Sequence, residues 1–272
     1  MGKSAVSAAL AFQQASLGRR TLLVELGERS FFQEMFQLPK VDYEPTYLKE
    51  NLDVSIWKSE KCIREYVLHY LPIKKLYQLF FENRVMRTFI NAAPAIAELA
   101  ILGKATSGVR KIGPPMDYDV IVIDCFSTGH FLALLRAPKG FSETIKSGPF
   151  GEQTAAITRT MLDESTTAYV LVSTAETLPS VETRELFETL RSEFGLHPLV
   201  ICNRLLHPPQ DAIENEQSSF QKYLKFILER QEKYEKTLRE LSPQLVELPL
   251  VLDSTGGRDL AHQLSEKLKD QN

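Results

Sequence analysis

No run of apolar residues in this 272-residue sequence approaches the ~20 needed to span a bilayer. The first residues lack a basic start followed by a long apolar stretch, so no secretory pattern is predicted. Cysteine is scarce. Cys62, Cys125 and Cys202 are the full set, and none sits in a C-x-x-C pair. An odd, scattered set excludes a disulfide framework and fits a reducing compartment. It also excludes a structural zinc built within one chain, which takes about four ligands. A large charge of one sign is missing too. The formal net charge of -3 gives no reason to expect binding to nucleic acid. No internal repeat, low-complexity tract or clear linker interrupts the chain. These absences point to a cytoplasmic globular protein.

The content is that of a soluble α/β chain. Hydrophobic residues make up 43% and charged residues 25%, ordinary for a globular fold and enough for a substantial core. Residues 4–17 are Ala-rich with apolar residues at helical spacing, and Gly18 ends the pattern. TLLVEL (21–26) is a continuous apolar run, as expected of a strand buried on both faces. LDVSIW (52–57) is a weaker strand. A helical stretch at about 60–104 is broken at Pro72 and Pro94 and carries many bulky residues, among them Tyr66, Leu76, Phe80, Phe81 and Phe89. YDVIVID (118–124) reads as the clearest buried parallel strand, followed by FSTGH and a helix. AYVLVST (168–174) and PLVICNR (198–204) are further strands, with a helix between them that starts near Pro179. One long polar helix is predicted at 211–241, a last strand at 245–251 and a last helix at 257–268. Strands alternating with helices predict a mostly parallel, doubly wound sheet covered on both faces. The expected organisation is a single domain over 1–272 with a helical insertion at about 60–110.

Three short motifs carry chemistry. Gly2-Lys3-Ser4 has the ending of a phosphate-binding loop, G-x-x-x-x-G-K-[ST], and runs straight into a helix. A helix start offers free N–H groups and a positive dipole end to phosphate oxygens. Lys3 would reach the β- and γ-phosphates, and the Ser4 hydroxyl would bind magnesium. A GKS at a basic N-terminus also occurs with no ligand. Asp124 closes an apolar strand, where a nucleotide-dependent enzyme places the carboxylate of its magnesium shell. A turn or helix-capping aspartate has the same local pattern. Gly129 and His130 follow in the next loop, where His130 can equally be a surface residue. Asn203 ends the strand PLVIC. Its amide can read an adenine edge, and an Asn closing a strand is also common turn chemistry.

In combination these segments resemble the ArsA-like P-loop ATPases: arsenite-pump subunits, tail-anchored-protein targeting ATPases and their bacterial relatives. DVIVIDCFSTGHFLALLRAP (119–138) is similar to the family's second switch segment. TTAYVLVSTAETLPSVETRELFETLRSEFGLHPLVICNRL (166–205) resembles its ET-R helix and its strand ending in NR. APAIAELAILGKA (93–105) and ELPLVLDSTGGRDLAHQLSEKL (247–268) also fit. The likeness is weakest in 30–92 and 206–244. It implies ATP and magnesium as cofactors. Gly2, Lys3 and Ser4 would hold the phosphates and the metal. Asp124 would be the second-switch carboxylate near magnesium. Asn203 would read the adenine, with the loop at Pro249 packed beside the base. Family members dimerise, so the resemblance implies a homodimer or a heterodimer with a paralogous ATPase, with a membrane protein or a hydrophobic cargo as further partner.

The sequence departs from the family in three places. The first strand and the start of the phosphate loop, with its early lysine, would be expected ahead of Met1, which stands where the family commonly has Val. After TLLVEL the family's water-positioning aspartate is replaced by Gly27, in Glu25-Leu26-Gly27-Glu28-Arg29. Glu25 is the candidate replacement near magnesium and Glu28 the second; both also fit a solvated acidic loop. There is no C-x-x-C for a zinc-bridged dimer and no clear arsenite site. The expected function is ATP binding and hydrolysis coupled to dimer closure. The alternatives are a non-hydrolysing regulatory subunit and a chaperone-like module for apolar segments.

Overall fold

The apolar runs form two sheets. The computed structural model describes residues 1–70, 94–144, 149–209 and 218–270. They fall into two compact units, residues 14–167 and residues 1–13 with 168–272. Helices lie on both sides of the parallel sheets, so the class is α/β as predicted.

In the first of these units, β1 (Thr21–Leu26) is buried along its whole length. It pairs in parallel with β3 (Leu52–Trp57) on one side and β4 (Val120–Asp124) on the other. A short antiparallel strand, β2 (Thr46–Lys49), completes the order β2-β3-β1-β4. Arg20 precedes β1 and forks onto Asp119 and Asp117 beside the start of β4. Arg20 and Asp119 are about half exposed and Asp117 is exposed, so these pairs add little energy and mainly mark the strand register. α1 (Lys3–Ser16) belongs to the other unit as far as Gln13; along this one come α2 (Phe31–Met35), α3 (Ser59–Tyr70), α4 (Pro94–Arg110), α5 (Thr128–Thr144) and α6 (Pro149–Leu162). α4 packs against α3, α5 and α6. The core joins Leu22, Val24 and Leu26 of β1 to Trp57, Ile63, Ile101, Leu102, Leu134 and Ile157. Gly103 allows the α3–α4 approach, because a Cβ there would lie 2.6 Å from the Tyr66 ring.

In the other unit, β5 (Val170–Ser173), β6 (Leu199–Leu205) and β7 (Val246–Pro249) form a parallel sheet in that order. α7 (Thr177–Phe194) joins β5 to β6, α8 (Ser219–Leu241) lies between β6 and β7, and α9 (Gly257–Lys269) follows β7. Gly195 ends α7 in the left-handed conformation (φ 71°) and returns its N–H to the Arg191 carbonyl. Ser218 and Gln221 form a capping box at the start of α8. Val6 and Ala9 of α1 pack on Ile201, Leu248, Leu264 and Leu268.

Several expectations change. The single sheet is two sheets among the described residues. YDVIVID is not fully buried: Val120 to Ile123 are half-buried, because β4 ends its sheet and has a hydrogen-bonded neighbour on one side only. The stretch 60–104 contains α3 and the start of α4. Residues 71–93, with Leu76, Phe80, Phe81 and Phe89, lie outside the described residues. The helix predicted from 211 starts at Ser219, and 210–217 lie outside as well. β2, α2 and α6 were not predicted. No helix among the described residues is long and apolar enough to cross a membrane.

Candidate functional site

Lys3 is the first residue of the 14-residue helix α1. Gly2 precedes it in the left-handed region, at φ +80°, which favours glycine. Its carbonyl accepts from the Val6 N–H at 3.1 Å and so begins the helix. Space gives a second reason for glycine, since a Cβ at Gly2 would lie 2.5 Å from Asn203 Nδ2. No acidic residue occupies the first turn of α1. The helix dipole and the Lys3 ammonium therefore act in the same sense, toward an anion.

Asn203 is 4% exposed, and its Nδ2 donates to the Met1 carbonyl at 3.0 Å. The amide keeps one N–H and its carbonyl oxygen for other partners. The strand bulges here: the β6–β7 register shifts between Cys202 and Leu205, and Arg204 takes φ +63°. Pro249 ends β7 opposite Leu205. Two cavities lie near this strand end. One, of about 540 Å³, is lined by Met1, Thr177, Glu182 and Arg230. The other, of about 230 Å³, is lined by Thr174, Arg204, Gln231 and Arg230. Pro249 lines neither. Arg204 stood in the NR pair that ends this strand, whereas Arg230 was not singled out from the sequence, because it comes from mid-α8.

The other candidate residues belong to the unit of residues 14–167. Glu25 and Asp124 are register partners on β1 and β4, at the carboxyl ends of two parallel strands. Open α/β sheets bind ligands at that edge. Glu25 is 9% exposed and Asp124 5%. Both Glu25 oxygens accept from the start of α2: Oε1 from the Phe31 N–H at 3.0 Å and Oε2 from the Phe32 N–H at 3.5 Å. Ser30 caps the same helix by accepting from Gln33 N–H at 3.2 Å. Burial pushes the Glu25 carboxyl above its ordinary value; the Phe31, Ser30 and Phe32 hydrogen bonds pull it back, and the Asp124 charge adds to the rise. Phe32 anchors α2 in the core and stacks on Phe36 with ring centroids 5.6 Å apart.

Glu28, the second acid of that loop, faces Lys58 at 3.5 Å and is otherwise exposed. Gly27 donates its N–H to the Trp57 carbonyl at 3.3 Å. His130 is exposed and meets Phe126 edge-on, which fits its surface reading. The capping role of Glu25 was missed because its partners lie six and seven residues downstream, beyond any capping-box spacing.

Among the described residues no group of three or more His, Cys, Asp or Glu side chains could hold a metal by itself. Each unit offers hard oxygen donors of the kind that suits magnesium, the Ser4 hydroxyl in one and the strand-end carboxylates in the other.

A family model described as anion-transporting ATPase matches residues 1–149. The chain is 30% identical over 207 residues to the ATPase BagA of Mycobacterium tuberculosis, covering 70% of this chain and 57% of that one. It is 29% identical over 253 residues to a putative arsenical pump-driving ATPase of Halobacterium salinarum, covering 85% of this chain and 38% of the relative. ATPase GET3 of Malassezia globosa is 26% identical over 197 residues, covering 59% of this chain and 57% of its own. The aligned part of the chain thus spans little more than half the length of these relatives, or less.

Proposed function

The chain belongs to the ArsA-like, anion-transporting ATPase family, and from that premise we propose that it binds magnesium–ATP and hydrolyses it. The observation that carries the reading is the start of α1. A left-handed glycine, pressed against Asn203, delivers Lys3 and Ser4 to the first helical turn. Lys3 binds the phosphates there, and Ser4 holds the metal. Asp124 is the second-switch carboxylate near magnesium. Asn203 reads the base through its remaining donor and acceptor, with the Pro249 loop beside it. The bound metal supplies charge neutralisation of the phosphates. The protein's part is to position the nucleotide and exclude water. Closure of a dimer, with a second copy or a paralogue, couples this cycle to a hydrophobic cargo or membrane partner. Phosphate release by the full-length protein tests the reading, alone and mixed with a paralogue. Turnover that needs magnesium and falls about 10- to 100-fold in Asp124→Asn is expected; turnover indifferent to both overturns it.

One observation favours a second reading. Glu25 gives both its oxygens to the start of α2, and Gly27 stands where the family has an acid. A chain whose candidate replacement acid, Glu25, is so engaged suits a regulatory subunit that binds ATP without turnover. Binding by calorimetry, with no phosphate release in any mixture, is the outcome that selects it.

A further inference from the structure

A buried ammonium is costly unless it is paired. Lys104, in the middle of α4, is 7% exposed and is paired three ways. Its Nζ lies 2.6 Å from Glu65 Oε2 on α3. It also lies 4.5 Å from the Tyr43 ring centroid and 5.3 Å from that of Trp57. Aromatic faces attract a desolvated cation, and tryptophan does so best. The Tyr43 hydroxyl donates to the same Glu65 oxygen at 2.5 Å. Four separate stretches meet in this cage: the segment before β2, the last residue of β3, α3 and α4.

An apolar side chain would fill the same place at lower cost. What the charge adds is a fixed geometry, and it is applied to a particular residue. Trp57 is the chain's single tryptophan and the last residue of β3. Its ring faces the Lys104 ammonium, while its carbonyl receives the Gly27 N–H. Trp57 is also the register partner of Leu26, and the next residue, Lys58, is paired with Glu28. The loop after β1 is therefore fastened to β3 at the residue the cage grips.

We infer that Lys104 is a positioning residue: through Trp57 it couples the α3–α4 pair to the Gly27–Glu28 loop and so to the acidic edge of the sheet. A shift of α3 against α4 breaks the Lys104–Glu65 contact and loosens the loop, and a movement of the loop is felt by the two helices. That the loop serves a nucleotide rests on the proposed function; the link itself does not.

Amide exchange of the full-length protein tests it without nucleotide. Lys104→Met with Glu65→Gln removes both charges together, so that neither is left buried alone. The peptide over residues 26–32 should then exchange about fivefold faster. Ile157→Ala, which opens the same core on α6, is the control for general loss of stability. Trp57→Phe keeps a ring at the site and should raise the rate by about twofold, so the inference stays testable if the double variant fails to fold. Unchanged exchange at 26–32 in the folded variants, or an equal rise in Ile157→Ala at matched melting temperature, overturns the coupling. Absence of magnesium–ATP binding by the wild type in calorimetry would overturn the function instead and leave the exchange result standing.

Discussion

β1 and β4 are neighbouring parallel strands, both apolar and both closed by a buried carboxylate, yet the two ends are built differently. β1 is central in its sheet and fully buried, and its Glu25 is drawn into the architecture, holding two N–H groups of α2. β4 ends the sheet order and is half-buried, and Asp124 leads directly into the Cys125–Ser127 turn and α5. Position at a strand's carboxyl end therefore does not assign a role. The carboxylate's partners do. Partners mark Glu25 as a structural group that shapes the loop, while the metal-shell role proposed for Asp124 rests on its position in the family pattern.

The largest effect is expected at the support of β1's end. Phe32→Ala removes a fully buried ring from under α2 and should cost about 3–5 kcal/mol in urea unfolding. A loss below 1 kcal/mol would mean that α2 is not what holds that end. Next comes Asp124→Asn, expected to lower turnover about 10- to 100-fold with little change in melting temperature. Glu25→Gln should do the reverse, changing stability more than turnover, and the opposite ranking breaks the comparison.

A smaller effect lies in the pH dependence. Burial raises the folded Glu25 carboxyl above its ordinary value near 4.5. The folded chain thus keeps a proton that the unfolded chain releases. The contribution is full below about pH 4.5 and is lost as pH rises through the folded value. Relative to Glu25→Gln, the wild type should lose stability as pH rises above about 4.5; parallel curves would contradict this. The smallest effect concerns the thiols. Burial pushes Cys62 up to about 11 and Cys202 up to about 12, whereas Cys125, next to Asp124, is half-buried. Cys125 should label at least about tenfold faster than the other two in the folded protein. Faster labelling of Cys62 would show that α3 opens.

Legibility in the sequence followed the range of the interactions. The runs TLLVEL and PLVICNR and the GKS start of α1 depend on local pattern, and each forms where it was expected. β2 was illegible because it is four residues long and only one of them, Leu48, is buried. α6 contains Gly151 and three threonines, poor helix formers, and it packs against α4 and α5. The half-exposure of β4 depends on strand order, which no window of sequence reports. Residue type and position alone named Lys3, Ser4, Glu25, Asp124 and Asn203 as candidates. Their partners were not legible, because Asn203 reaches Met1 across 202 positions, and the Lys104 cage gathers four segments.

The most direct test of the central claim, that the turn before α1 grips the phosphates of ATP, is calorimetric titration of the full-length protein with magnesium–ATP, beside Lys3→Ala. Saturable heat in the wild type and none in the variant is the result the account predicts. Equal heats in the two, or none in the wild type, would contradict it.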